Sequence, residues 1–324
     1  SERGLVIRAD SDGDLRGAVE RARSLSRIAT VGAGRNLRSA VVSAVDGESL
    51  ERVEILGPGA SGMGGIERFT ESVVARPPAG FTVVEVDTYG SGGAAMLMRA
   101  ASASAHVLLP SSDPPALTHV NVAHGGSVLR KAALGRMLEA KGRPYVVHIH
   151  GSRFAEFERG LPSPARARVR RFLDHAGAVI VLGETSKAHV VDQVGVDASK
   201  VVIVANGVSG PRHVERRGSG NGVKRILYAG RLGERKGTAE LIRALGSLKE
   251  RSDWSLCVAG NGEVDTYSGM AASEGISDRV EFTGWIDRDA VQSRLADTDV
   301  FVLPSHAEGL PLSVLEAMSH GCAV

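Results

Sequence analysis

The sequence predicts an α/β chain of two doubly wound domains with parallel sheets, the second of them incomplete. Three observations predict it. From Glu51 onward, short apolar runs alternate with amphipathic segments, the pattern of strands covered on both faces by crossover helices. A polar, Gly-rich stretch, SGPRHVERRGSGN, interrupts the alternation at residues 209–221 and reads as a linker. The alternation then restarts and runs to the last residue. The 324 residues suffice for two domains, expected at 51–208 and 223–324, with a linker at 209–222.

The elements follow in order. Residues 1–50 show no sustained period and read as an extension of unassigned role, partly disordered, with a short helix at 14–26. RVEILGPG is a strand running into a glycine loop, IERFTESVVA the helix after it, and FTVVEVDT the next strand. ASAHVLLP and LTHVNVAH follow as further strand-like runs. SVLRKAALGRMLEAKG has helical spacing, with Leu129, Ala133, Met137 and Ala140 on one face. PYVVHIHG, GAVIVLG and KVVIVANG complete the first domain. KRILYAG, WSLCVAG, RVEFTG and DVFVLPS are the strands of the second, with PLSVLEAMSHG as its last helix. CAV begins a further strand, so the C-terminal end is expected to be missing. The chain opens on Ser1 instead of Met, so a start upstream is expected.

Composition narrows the classes. Hydrophobic residues at 43% and charged residues at 23% describe a globular chain. The net charge of +2 gives no support for nucleic-acid binding. Cys257 and Cys322 are too few and too distant for a disulfide framework or a zinc site, and read as reduced core thiols of a cytoplasmic protein. The longest apolar runs, such as AGAVIVLG, fall far short of the roughly 20 residues that span a bilayer. No secretory signal is visible.

Several motifs carry chemistry. GPGASG places Gly57, Gly59 and Gly62 after a strand, and Asp87 ends the next strand. This resembles a dinucleotide fingerprint. The loop continues through Gly64 and Gly65, however, so the helix starts too late for it. The better reading is a flexible loop whose amides approach a phosphate or an acceptor. In HIHG, His148 and His150 share one side of a strand at its C-terminal end, where ligands of α/β sheets sit. AGRLGERKG puts Arg231 after a strand and Lys236 at a helix entry, which together with helix-start amides make an anion site. PSHAEGLPLSVLEAM sets Glu308 at the mouth of a helix and Glu316 inside it. A carboxylate there can accept hydrogen bonds from sugar hydroxyls or a ribose diol. D-x-D pairs occur at Asp10/Asp12, Asp12/Asp14, Asp287/Asp289 and Asp297/Asp299. They read as surface or capping acids, so no metal is expected. PARARVRRF gathers Arg166, Arg168, Arg170 and Arg171 opposite Ala165, Val169 and Phe172, a basic amphipathic helix that fits an anionic membrane surface or simply solvent.

Together these residues resemble the retaining glycosyltransferases of family 4, which have the GT-B fold of two facing Rossmann-like domains. The resemblance covers residues 51–324 and rests on Gly64-Gly65, His150, the ANGV of Asn206, the GR…KG pair and Glu308…Glu316. HGSRF and SVLRK look like members that build bacterial surface polysaccharides. The resemblance implies a metal-independent hexosyltransferase that retains configuration and needs no cofactor. Its co-substrate would be a UDP- or GDP-sugar, and its acceptor a sugar or lipid-linked saccharide. It would work in the cytoplasm, peripheral on the inner face of the membrane. Arg231 and Lys236 would neutralise the diphosphate, Glu316 bind the ribose, Glu308 the donor sugar, and Gly309 and Leu310 lie near sugar or phosphate. Gly284-Trp285 would meet the base and His150 the reacting sugar. Two departures stand out: Ala205 replaces the usual proline of PNGV, and the terminal helix that packs back on the first domain is expected to be absent. An epimerase or phosphorylase on the same architecture, a dinucleotide oxidoreductase and a non-catalytic nucleotide-sugar binder remain as alternatives.

Overall fold

The computed structural model describes residues 51–59, 64–78, 80–90, 92–208 and 222–324. The extension at 1–50, with its expected helix and its two D-x-D pairs, and the linker residues 209–221 lie outside the described residues. The chain divides into two compact units, with the boundary between Asn206 and Gly207.

The first unit carries β1 (Glu51–Gly57), α1 (Gly65–Ala75), β2 (Phe81–Asp87), α2 (Gly93–Leu108), β3 (Leu117–Val122), α3 (Gly126–Ala140) and β4 (Tyr145–Ile149). The helices α4 (Phe154–Arg159) and α5 (Ser163–His175), β5 (Val179–Val181), α6 (Glu184–Ala188) and β6 (Val201–Ile203) follow. The strands form one parallel sheet in the order β2-β1-β3-β4-β5-β6. Period two sorts their side chains. Leu56, Val120, Val122, Val147 and Ile149 pack with Val107 of α2, Leu138 of α3 and Phe172 of α5. On the opposite face, Val146 and Ile180 form a smaller cluster, and His119, Asn121 and His148 share that side. The face covered by α2 also holds Glu54, buried, whose carboxylate accepts from Arg143 at 2.6 Å and Arg52 at 3.1 Å and meets the His106 ring at 3.0 Å.

Two expectations are corrected here. ASAHVLLP is not a strand: α2 runs through it to Leu108, burying Ala103 and Val107 one turn apart. A short apolar run carries too few residues to separate the two periods. In α3 the buried residues are Val128, Lys131, Ala132, Leu134, Gly135 and Leu138, whereas Leu129 and Ala133 are exposed. The inward stripe contains a lysine and a glycine, so hydropathy pointed to the wrong face. Gly135 is there because α5 presses the Phe172 ring onto it: a Cβ would fall 2.7 Å from Phe172 Cε2.

The second unit carries β7 (Lys224–Ala229), a short 3₁₀ turn (Glu234–Lys236), α7 (Thr238–Gly246), β8 (Trp254–Ala259), α8 (Val264–Ser273), β9 (Val280–Gly284), α9 (Arg288–Ala296), β10 (Val300–Phe301) and α10 (Leu312–Ser319). Its parallel sheet has the order β10-β7-β8-β9. One core joins Tyr228, Ile242, Leu256 and Tyr267; the other joins Leu227, Leu295, Phe301 and Ala317. Of the CAV segment, Ala323 pairs with Val300 as a single parallel bridge. Both cysteines are free thiols, Cys322 buried and Cys257 half-buried. Among the described residues no helix is long and apolar enough to cross a membrane.

Gly135→Val should lower the unfolding free energy by about 1–3 kcal/mol, because the added methyls must displace the Phe172 ring. Urea denaturation measures it, and an unchanged midpoint would show that α3 and α5 do not meet at this glycine.

Candidate functional site

In each sheet the strand order reverses once. The chain leaves β7 for β8 and β9 on one side and returns with β10 on the other. Open parallel sheets bind ligands beyond the strand C-termini at such a reversal. In the second unit three loops are stitched together there. The Tyr228 hydroxyl donates to the Arg231 carbonyl at 3.2 Å, and the Gly233 amide donates to Thr238 Oγ1 at 3.2 Å. Leu232 bridges to Gly262, and its amide donates to the Asn261 carbonyl at 2.7 Å. Gly237 has φ +67 and lies so close to the Pro304 carbonyl that a Cβ would collide with it, a position that only glycine fills without strain. The His306 amide donates to the Arg235 carbonyl at 3.0 Å.

This stitching brings Lys236 to Glu308 across 72 residues of sequence: Nζ donates to Oε1 at 2.5 Å. Both side chains are largely shielded, at 17% and 23% exposure, so their attraction is weakly screened. Arg235 adds a longer contact, Nη1 to Glu308 Oε1 at 3.4 Å, and donates to the Ala307 carbonyl at 3.1 Å. Sequence reasoning assigned the lysine to phosphate and the glutamate to sugar. The structure joins them as one ion pair and adds Arg235, which was missed because spacing cannot tell which side chains of a 3₁₀ turn point inward.

The other residues expected at this site fall on the same sheet edge or in the loops leaving it, because all four strands are parallel. Arg231 is exposed in the loop after β7. Gly284 closes β9 with φ +68, its carbonyl accepting from the Gly260 amide at 2.8 Å, and Trp285 beyond it is 54% exposed. Gly309 and Leu310 lie in the loop before α10, whose N-cap is Pro311. Glu316, five residues into α10, is buried and is not a solvated helix glutamate. The Asn261-Gly262 turn after β8 was also missed; its signal was Gly-Asn-Gly closing a strand.

In the first unit the reversal lies between β1 and β3. Gly57 ends β1 where a Cβ would come within 3.1 Å of Asn121 Cβ. Asp87 Oδ1 accepts from the Tyr89 amide at 2.8 Å and the Gly59 amide at 3.2 Å. That carboxylate therefore braces its own loop instead of standing free for a ribose. Gly64 is the N-cap of α1 and Gly65 its first residue.

Beside this loop, His150, His148 and His119 cluster against Phe69. His148 and His150 have ring centroids 3.8 Å apart, and His119 lies 5.3 Å from His148. Phe69 closes on His150 at 4.9 Å. Burial is the main reason their pKa values fall. It takes His119 to about 4 and, with the charge of His119, His150 to about 3; His148 lies well below the usual value, with its neighbouring imidazoles adding to burial. All three are therefore neutral at pH 7. His150 can exchange hydrogen bonds with hydroxyls but does not neutralise a phosphate.

A short chain of hydrogen bonds selects its tautomer. Thr70 Oγ1 donates to the Ile66 carbonyl at 3.0 Å, so it accepts from Asn121 Nδ2 at 3.3 Å. The opposite amide orientation would leave the hydroxyl's single hydrogen to serve two acceptors. Asn121 Oδ1 then faces His150 Nε2 at 2.9 Å and must accept from it. His150 carries its proton on Nε2 and keeps Nδ1 as the acceptor. Asn121, Thr70 and His119 were missed, since nothing in LTHVNV or RFTES marks an inward polar side chain.

The remaining candidates stand elsewhere. Arg166 pairs with the buried Glu158 at 3.1 Å, Arg171 with Glu139 at 3.3 Å and Arg170 with Asp174 at 3.4 Å. Three of the four arginines of α5 are thus drawn into ion pairs within their own unit; Arg168 is exposed. Asp287 caps α9, accepting from the Ala290 amide at 2.8 Å, and Asp297 and Asp299 both face Arg225 at 3.6 Å.

Two parallel-sheet units, each with polar groups gathered at its strand reversal, define a Rossmann-like chain of the GT-B type. Residues 32–207 match the glycosyl transferase 4-like domain and residues 209–324 match glycosyl transferases group 1. The chain belongs to this glycosyltransferase family. It is 27% identical over 202 residues to the 2-deoxystreptamine glucosyltransferase of Streptomyces kanamyceticus, spanning 56% of this chain and 52% of that one. It is 29% identical over 210 residues to the UDP-Gal:alpha-D-GlcNAc-diphosphoundecaprenol alpha-1,3-galactosyltransferase of Escherichia coli, spanning 58% and 53%. The chain thus spans about half the length of these curated relatives. Among solved structures, Anabaena Alr3699/HepE in complex with UDP-glucose has the same fold, with a TM-score of 0.61 at 17% identity over 84% of this chain and 79% of that one.

Two outcomes follow for the histidine cluster. The imidazoles titrate lower in the fold than in the unfolded chain, so the unfolded chain binds more protons below pH 6.5. Their contribution to stability is complete above that pH and is lost as pH falls toward 4, at a limiting slope of about 1.4 kcal/mol per unit for each imidazole. His119→Leu should flatten this slope in urea titrations across that window; an unaltered slope would mean His119 is not held neutral. ¹⁵N spectra of the histidines should show His150 protonated on Nε2, with mixed tautomers in Asn121→Ala. A wild-type Nδ1–H signal would refute the hydrogen-bond chain.

Proposed function

We propose that this chain transfers a hexose from a UDP- or GDP-sugar to an acceptor hydroxyl, without a metal and with retention of configuration. The single observation that carries the reading is the Lys236–Glu308 pair at the strand reversal of the second unit, with Arg235 beside it. The lysine and the carboxylate hold one another. An arriving diphosphate would draw Lys236 to itself, with Arg231 as the second cation, and release Glu308 to accept from the donor sugar's hydroxyls. Trp285 offers a face for the base, Glu316 two acceptors for the ribose diol, and the amides of Gly309 and Leu310 donors for sugar or phosphate. Gly64 and Gly65 would offer backbone amides to the donor, and the neutral His150 would lie beside the reacting sugar.

In the step itself the anomeric carbon–oxygen bond to the diphosphate breaks. A bond to the acceptor oxygen forms on the same face, and the acceptor's proton passes to the departing phosphate. The preorganised cations stabilise the charge on that phosphate. Surface polysaccharide or glycolipid synthesis is the pathway class favoured by the activity of the Escherichia coli relative, and it fits work in the cytoplasm at the inner face of the membrane. The Arg168 side of α5 is the surface that would meet anionic lipid.

Thermal unfolding against UDP-, GDP- and ADP-sugars identifies the donor, since a ligand of the folded state raises the midpoint. With the stabilising donor, Arg231→Ala and Lys236→Ala should each lower transfer of labelled sugar by about 10²- to 10³-fold. Near-wild-type turnover in both would overturn the assignment. Glu308→Gln, which frees Lys236, should bind UDP or GDP at least as tightly as wild type while transferring sugar more slowly. Weaker nucleotide binding in that variant would place the glutamate on the nucleotide instead.

A further inference from the structure

The first unit holds a second candidate site outside the histidine cluster, with mostly apolar walls and two cationic side chains among them. A cavity of about 100 Å³ opens between the end of β2, α2 and the first half of α3, lined by Thr88, Ser104, Arg130 and Lys131 with Ala100 and Leu134. Lys131 is only 2% exposed. Its ammonium has three hydrogens, and among the described residues the acceptor it meets is Thr88 Oγ1. The Thr88 hydroxyl spends its own hydrogen on the Gly57 carbonyl at 3.0 Å. Arg130 Nε, next along the helix, is buried and has no hydrogen-bond partner among the described residues.

The nearest acid that acts on Lys131 is Asp87, and it is already occupied. Its Oδ1 accepts two backbone amides, and its Oδ2 faces Arg99 Nε at 3.5 Å. Arg99 and Lys131 therefore share one carboxylate whose other oxygen is taken by backbone amides. Burial and, to a lesser extent, the charge of Arg130 draw the Lys131 amine down to about 8, against the opposing effect of Asp87. Buried charges are ordinarily matched, whereas among the described residues the Lys131 ammonium meets one hydroxyl and Arg130 Nε no acceptor.

We propose that the cavity is an oxyanion site that takes a phosphate group, held by Lys131 and Arg130. A water molecule needs roughly 10–15 Å³ of such space. The cavity of about 100 Å³ therefore admits a group the size of a phosphate. The shared chemistry is the phosphate, free or at the end of a larger molecule. The site stands on its own residues and does not depend on the transferase reading.

Thermal unfolding of the full chain in inorganic phosphate, against chloride at equal ionic strength, tests it. The wild-type midpoint should rise by about 2–4 °C. Measured in an Arg231→Ala/Lys236→Ala background, so that phosphate binding at the second unit's cations does not contribute, Lys131→Met should remove the rise and Arg130→Gln reduce it. The absence of a phosphate-specific rise, or a full rise in Lys131→Met, would overturn the proposal. Should Lys131→Met fail to fold, the wild-type Lys131 amine provides the second readout. Saturating phosphate should move its titration, followed by side-chain NMR, upward from about 8, and no movement would equally refute the site. Glycerol 3-phosphate in place of inorganic phosphate separates the two sources. A larger rise assigns the group to a bigger molecule and an equal one to the free ion, and either supports the site.

Discussion

Parallel pairing of β10 beside β7 is the constraint on which the second unit's chemistry depends. Parallel strands release their following loops on one edge of the sheet, and a reversal of order parts two of those loops to either side of a crevice. The strands alone would leave the loops loosely apart. Gly237 against the Pro304 carbonyl closes that distance, and the Arg235–His306 backbone bond fixes the register of the two loops. The Lys236–Glu308 pair is the consequence.

The two units gather different electrostatics at their reversals. The second presents cations steadied by a carboxylate, a setting that exchanges one anion for another at little cost in solvation. Beside the first lie neutral imidazoles, kept so by burial and by one another. Such a surface donates and accepts hydrogen bonds without attracting phosphate. Lys131 and Arg130 of the first unit line a separate cavity instead, on a part of α3 that apolar spacing did not mark.

Much of the architecture was legible because it follows from periodicity. Strand after strand, YVVHI, RILYA and SLCVA fall where their apolar runs lie, since a strand covered on both faces has to be largely apolar. Legibility failed where a pattern was short or contained the wrong residue type. ASAHVLLP was too brief to distinguish helix from strand, and Lys131 and Gly135 disguised the buried stripe of α3.

The sequence by itself determined the doubly wound class, the glycine loops, the pairing of His148 with His150 on one side of a strand, and the candidate acidic and basic residues of the second unit. These are local properties, set by residue type and by the two backbone periods. Only the tertiary structure decided that Lys236 and Glu308 touch, that Arg235 joins them, that Asp87 braces its own loop, and that Asn121 and Thr70 choose the proton position on His150. Each of these links residues distant in sequence, and no local preference encodes a distance between loops. Strand order, and the close approach that single glycines permit, supply it.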